Sequence, residues 1–67
     1  MSEDIEALEK EVRKCRRIAS EWAGKLHDLV EERLPLAYDE IPELAQSTLD
    51  ACKAWDEARK ALKAVQS

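Results

Sequence analysis

Apolar residues recur at alternating three- and four-residue steps along the first half of the chain: Ile5, Leu8, Val12, Cys15, Ala19, Trp22, Leu26 and Leu29. They occupy the a and d positions of four consecutive heptads, the spacing that keeps one narrow stripe of a helix facing a neighbour. The spacing returns after a break in Ile41, Leu44, Thr48, Ala51, Trp55, Ala58, Leu62 and Val65. Between them lies Leu34-Pro35-Leu36-Ala37-Tyr38-Asp39-Glu40. Pro35 forces the residue before it out of the helical region, so the first helix must stop there. The pattern predicts helix 1 over about residues 3–34, a turn over about 35–40 and helix 2 over about 41–65, as one domain.

The ends of both helices carry matching signals. Ser2 is a candidate N-cap, with Glu3 and Asp4 opposing the helix dipole. Asp39 is a candidate cap for helix 2, and Pro42 suits a first turn that needs no N–H from it. Glu6–Lys10, Glu9–Arg13 and Glu21–Lys25 are i,i+4 pairs in the favourable order on the outer face. Gly24 falls at an outward f position, where it costs about 1 kcal/mol relative to Ala.

Folded back antiparallel, the two stripes pair in register. Facing residues then have a constant sum of numbers: 73 for Leu8–Val65, Cys15–Ala58, Trp22–Ala51 and Leu29–Leu44, and 74 for Val12–Leu62, Ala19–Trp55 and Leu26–Thr48. Each Trp meets an Ala, the large-against-small layering that fills a close-packed core.

A hairpin of 67 residues cannot hide this stripe. A domain of that size buries only about 60% of its unfolded surface. Ile18, Ala23 and Val30 widen the stripe of helix 1, and Ala45 and Cys52 that of helix 2, as suits a helix with two neighbours. The expected architecture is therefore all-α: an antiparallel helical hairpin that homodimerises about a two-fold axis into a four-helix bundle. Its dimer core comprises Leu8, Val12, Cys15, Ala19, Trp22, Leu26, Leu29, Leu44, Thr48, Ala51, Trp55, Ala58 and Leu62.

Composition narrows the partners. The charged fraction is 39%, in keeping with a bundle or coiled coil, and the net charge of −4 opposes a life spent gripping phosphates or anionic membranes. The acidic start Met1-Ser2-Glu3-Asp4 is unlike a signal peptide, and no apolar run nears the ~20 residues of a membrane span. A cytoplasmic protein is expected. Cys15 and Cys52 differ in distance from the turn by about two helical turns, too far for a bridge, so both are expected as buried free thiols.

Three clusters are candidate chemistry. His27, Asp28, Glu31 and Glu32 form an acidic patch close to the turn. His27 and Glu31 are i,i+4 neighbours able to share a metal, but a stable site needs about four converging ligands, and this chain has one His and no Glu on the seam. No cofactor is expected; metal carriage through that pair stays an alternative. Lys10, Arg13, Lys14, Arg16 and Arg17 make a basic cluster, and the size and hairpin form resemble the plasmid RNA-binding protein Rop. RNA binding through Lys10, Arg13 and Arg17 is the first alternative, ahead of metal carriage, weakened because the chain is net acidic and because both Trp residues lie on the seam and leave no free stacking platform. Tyr38, beside Leu36, either covers the end of the bundle or anchors a partner, and covering is the preferred expectation. No Gly-rich loop or Ser-His-Asp set is present, and a narrow bundle is expected to lack a cleft of ligand size, so no enzyme is expected.

The run Leu26-His27-Asp28-Leu29-Val30-Glu31-Glu32, with Leu34-Pro35, Tyr38, Ile41-Pro42-Glu43-Leu44-Ala45, Thr48, Ala51-Cys52 and Trp55, resembles the small Rop-like proteins of nitrogen-fixing bacteria, a family of unknown function whose genes lie in nitrogen-fixation clusters. The resemblance covers about residues 5–62. It implies a dimerising helical hairpin and a role in nitrogen fixation as a protein-interaction module, with nitrogenase or a cofactor-assembly protein as the expected partner. The surface expected to meet that partner is His27, Asp28, Glu31, Tyr38 and Glu40, outward residues near the turn that add little to the core.

Overall fold

The computed structural model describes residues 2–66, with side chains from residue 4 onward. Two helices, α1 (Ser2–Asp28) and α2 (Ile41–Gln66), lie side by side as a hairpin measuring 51 × 14 × 13 Å. The expected cap at Ser2 lies outside the described side chains.

The end of the first helix differs from the expectation of regular α-helix to residue 34. The α-helical bonding ends at Asp28, and Leu29–Arg33 form one wider π-helical turn. The Leu34 N–H donates across five residues to the Leu29 carbonyl at 3.1 Å. Leu34 is itself extended, at φ −83° and ψ 149°, as the residue before a proline must be. The Leu34–Pro35 bond is cis. The Ala37 N–H then donates to the Arg33 carbonyl at 2.9 Å, and a 3-10 turn, Tyr38–Glu40, leads into α2. Asp39 lies within that turn, so it is not the cap expected of it; the turn runs straight into helical Ile41. Pro42 occupies the second position of α2, where its missing N–H leaves no bond unmade.

The heptad stripe is the side the helices turn toward each other. Every a and d residue of α1 and its π turn from Ile5 to Leu29 is buried or half-buried, as are Leu44, Thr48, Ala51, Trp55, Ala58 and Leu62. Ile41 and Val65, at the ends of the stripe, are exposed. Thr48 sits on this apolar face without an orphaned hydroxyl because its Oγ1 donates to the Leu44 carbonyl one turn back, at 2.8 Å.

The core is thin. Among the described residues only Cys15, Leu29 and Ala51 are buried, and Leu29 alone is fully sealed. All three are d positions. The a positions remain half-wet, and beside them Ala23, Val30, Ala45 and Cys52 are exposed. Cys52 therefore departs from the expected pair of buried thiols; it sits one heptad step beyond the contact line, while Cys15 lies on it. Both are free.

Candidate functional site

The turn end gathers the expected partner-binding residues on two neighbouring segments. His27 and Asp28 close α1, and Glu31 lies in the π turn one helical step beyond. The His27 Nε2 is 3.2 Å from Glu31 Oε1, and its Nδ1 is 3.9 Å from Asp28 Oδ1. All three side chains stand mostly in solvent. Glu40 comes from the far side of the turn and pairs with Arg33, straddling it on the same register sum of 73 that the seam follows. This pairing raises the Arg33 pKa above its ordinary value, chiefly through the hydrogen bond to Glu40.

Leu36 and Tyr38 do not cover the end of the hairpin. Leu36 is 92% exposed and Tyr38 70%, on a turn that projects past the helix ends. Val30 is also exposed. The turn end thus presents apolar and aromatic side chains beside an acidic cluster. Among the described residues no group of three His, Cys, Asp or Glu side chains converges to hold a metal; His27 and Glu31 come together as a pair alone.

The basic cluster lies on the other half of α1. Lys10, Arg13, Lys14 and Arg17 surround an open depression of about 500 Å³ with Ala7 and Glu11. None of these four cations is in an ion pair with a described carboxylate. The three i,i+4 pairs expected on α1 are likewise unformed, and Lys25 instead lays its Nζ over Trp22, 4.4 Å from the ring centre. Arg59 does the same for Trp55 at 5.2 Å while bonding Asp56 at 2.6 Å. Asp56 also pairs with Lys60 at 3.0 Å, and the hydrogen bonds from Arg59 and Lys60 hold its carboxyl below the usual range.

A second open groove, of about 420 Å³, runs between the helices at Ala19, Ala23, Cys52 and Trp55, flanked by Arg16 and Ser20. The expectation of no ligand-sized cleft therefore fails by volume, because a hairpin without neighbours leaves open dents along its helices. Sequence reasoning named all four groove residues as stripe or stripe-widening positions, but it missed that they leave a groove in the single chain. Buried Cys15 adds no reactive group: burial first, then the Glu11 carboxylate 3.5 Å from its sulfur, pushes its thiol pKa up.

A family model described as Rop-like matches residues 3–67, nearly the whole chain. The chain belongs to the Rop-like family. A UPF0437 protein from Azorhizobium caulinodans is 38% identical over 64 residues, covering 96% of this Rop-like chain and 91% of the relative. No solved structure matches it. The described residues contain no helix long and apolar enough to cross a membrane.

Proposed function

We propose that this chain is a non-enzymatic interaction module of nitrogen fixation, which works as a homodimeric four-helix bundle and binds nitrogenase or a protein that assembles its metal cofactor. The observation that carries the docking role is the exposure of Leu36 and Tyr38 beside the His27–Glu31 cluster: large side chains held in water at a turn stabilise nothing within the chain. The link to nitrogen fixation rests on the resemblance of the Leu26–Trp55 run to proteins of that setting. With two copies antiparallel, one such face stands at each end, so the dimer is bivalent.

The test is capture of nitrogenase and its assembly proteins from a nitrogen-fixing culture by the full chain. A variant carrying His27→Ala, Asp28→Asn, Glu31→Gln, Tyr38→Ala and Glu40→Gln should lose them. Equal capture by both rejects this surface.

One observation supports a second reading, RNA binding: Lys10, Arg13, Lys14 and Arg17 share one depression, and none of them is in an ion pair with a described carboxylate. Each phosphate contacted would then steepen the fall of log affinity with log salt by about 0.7–0.9. A salt-independent signal, or none at low salt, removes it.

A further inference from the structure

The turn end holds its apolar side chains out on a braced frame. Val30, Leu36, Tyr38 and Ile41 are all exposed within residues 27–43. The backbone that carries Leu36 and Tyr38 is tied down on both sides. Leu34 N–H donates to the Leu29 carbonyl, Ala37 N–H to the Arg33 carbonyl and Glu40 N–H to the Ala37 carbonyl. The Arg33–Glu40 ion pair straddles the whole turn. A surface held in one shape loses little freedom when something binds to it. Glu40 is thus a brace rather than a contact, being half-buried and engaged by Arg33.

Charge names what fits over these side chains. Residues 27–43 carry six carboxylates against Arg33, a net −5 in a chain of net −4. Beyond Glu40 they are Asp28, Glu31, Glu32, Asp39 and Glu43, all exposed and none in an ion pair with a described Lys or Arg. Asp28, Glu31 and Glu32 lie in the last turns of the first helical run. That is the negative pole of the helix dipole, where carboxylates oppose stability and cations favour it. A cationic surface would offset both the dipole and the crowding of like charges.

The free end of the hairpin supplies the contrast. Glu3, Asp4, Glu6 and Glu9 make residues 1–9 net −4. They stand at a helix N-terminus, where carboxylates suit the dipole. The apolar residues among them, Ile5 and Leu8, are half-buried on the seam. Exposed apolar side chains and carboxylates that oppose the dipole coincide at the turn.

Resting on the docking role proposed above, we propose that the turn end plugs an apolar pocket rimmed by Lys and Arg on a partner protein. Leu36 and Tyr38 enter the pocket, and the carboxylates around them meet its cationic rim. This division, apolar anchors at the centre and charge at the edge, is the usual anatomy of a protein interface. Leu36 becomes the central contact, and Glu32, Asp39 and Glu43 join the surface.

Amide NMR shifts of the full chain, titrated with a synthetic amphipathic helix of Leu and Lys, test this. The shifts should map to residues 27–43, and the same peptide with Glu in place of Lys should give none there. Raising salt from about 50 to about 500 mM should weaken binding at least about fivefold. Leu36→Ser should weaken it at least about tenfold. So should Glu32→Lys combined with Asp39→Lys, by about the same factor. Asp4→Lys with Glu6→Lys, at the other acidic end, should change it by less than about twofold. All these side chains are exposed, and unchanged helical circular dichroism checks that each variant is folded. Binding that Leu36→Ser spares, or that the Asp4 and Glu6 changes weaken equally, is attraction by charge alone and overturns the proposal. Shifts centred on Ala19 and Cys52 overturn it too. A chain that captures nitrogenase or its assembly proteins yet fails these measurements keeps the docking role and loses the cationic pocket. One that passes them and captures neither keeps the pocket and loses the nitrogenase reading.

Discussion

Gly24 is the plainest single residue to interpret. It lies in mid-helix with nothing within 4 Å of where a Cβ would stand and with no positive φ. No described residue outside its own helix approaches it, so Gly24→Ala should stabilise the protein by about 1 kcal/mol in urea unfolding, through helix propensity alone. A loss of stability would mean that another molecule's backbone passes there. Asp56 behaves in the opposite way, because it has partners. Its folded pKa is depressed by Arg59 and Lys60, so its contribution is present above the unfolded carboxylate pKa and is lost as pH falls through the folded value. Asp56→Asn should therefore lower the melting temperature at neutral pH, and the gap to the wild type should close in acid. A gap that persists below the carboxylate range would trace the effect to packing.

At the scale of the elements, Leu29 and Leu36 separate two kinds of apolar residue that look alike in the sequence. Leu29 ends the seam of the first helix and is the one fully sealed side chain among those described. Leu29→Ala should cost about 3 kcal/mol, while Leu36→Ala should shift stability by no more than about 0.5 kcal/mol, both read from denaturant midpoints. The heptad spacing placed Leu29 on the seam because periodicity reports which face a residue shares. It said nothing about Leu36, which follows a proline and belongs to no period. The same boundary explains the missed π turn: spacing carries the direction of a side chain, not the hydrogen-bond step that closes the last turn before Pro35. The i,i+4 charge pairs on α1 went unformed for a related reason. Propensity names possible partners, but an exposed ammonium gains as much by lying over Trp22 as by meeting Glu21, and Lys25 does the former. At the turn, Asp28 and Glu31 were legible as outward from helix phase, whereas Glu40, expected outward with them, is half-buried and paired with Arg33 across the turn. The exposure of Tyr38 was not, because its place depends on the 3-10 turn that carries it.

For the whole molecule, the decisive quantity is how much stability the hairpin has without company. Three buried residues supply little of the hydrophobic term, and each helix offers the other only one line of contact. If the second copy supplies the rest, folding and association are one equilibrium, and the melting temperature must rise with protein concentration. The size of the rise follows from the enthalpy. At about 0.7 kcal/mol per residue, a dimer of two 67-residue chains melts with about 90 kcal/mol, which gives an increase of about 5 °C for each tenfold in concentration. A monomer melts at one temperature whatever its concentration. Circular dichroism melts from about 2 to 200 µM should thus span about 10 °C. A flat series would leave the hairpin standing alone, and the paired docking faces at opposite ends of a bundle would then have no bundle to carry them.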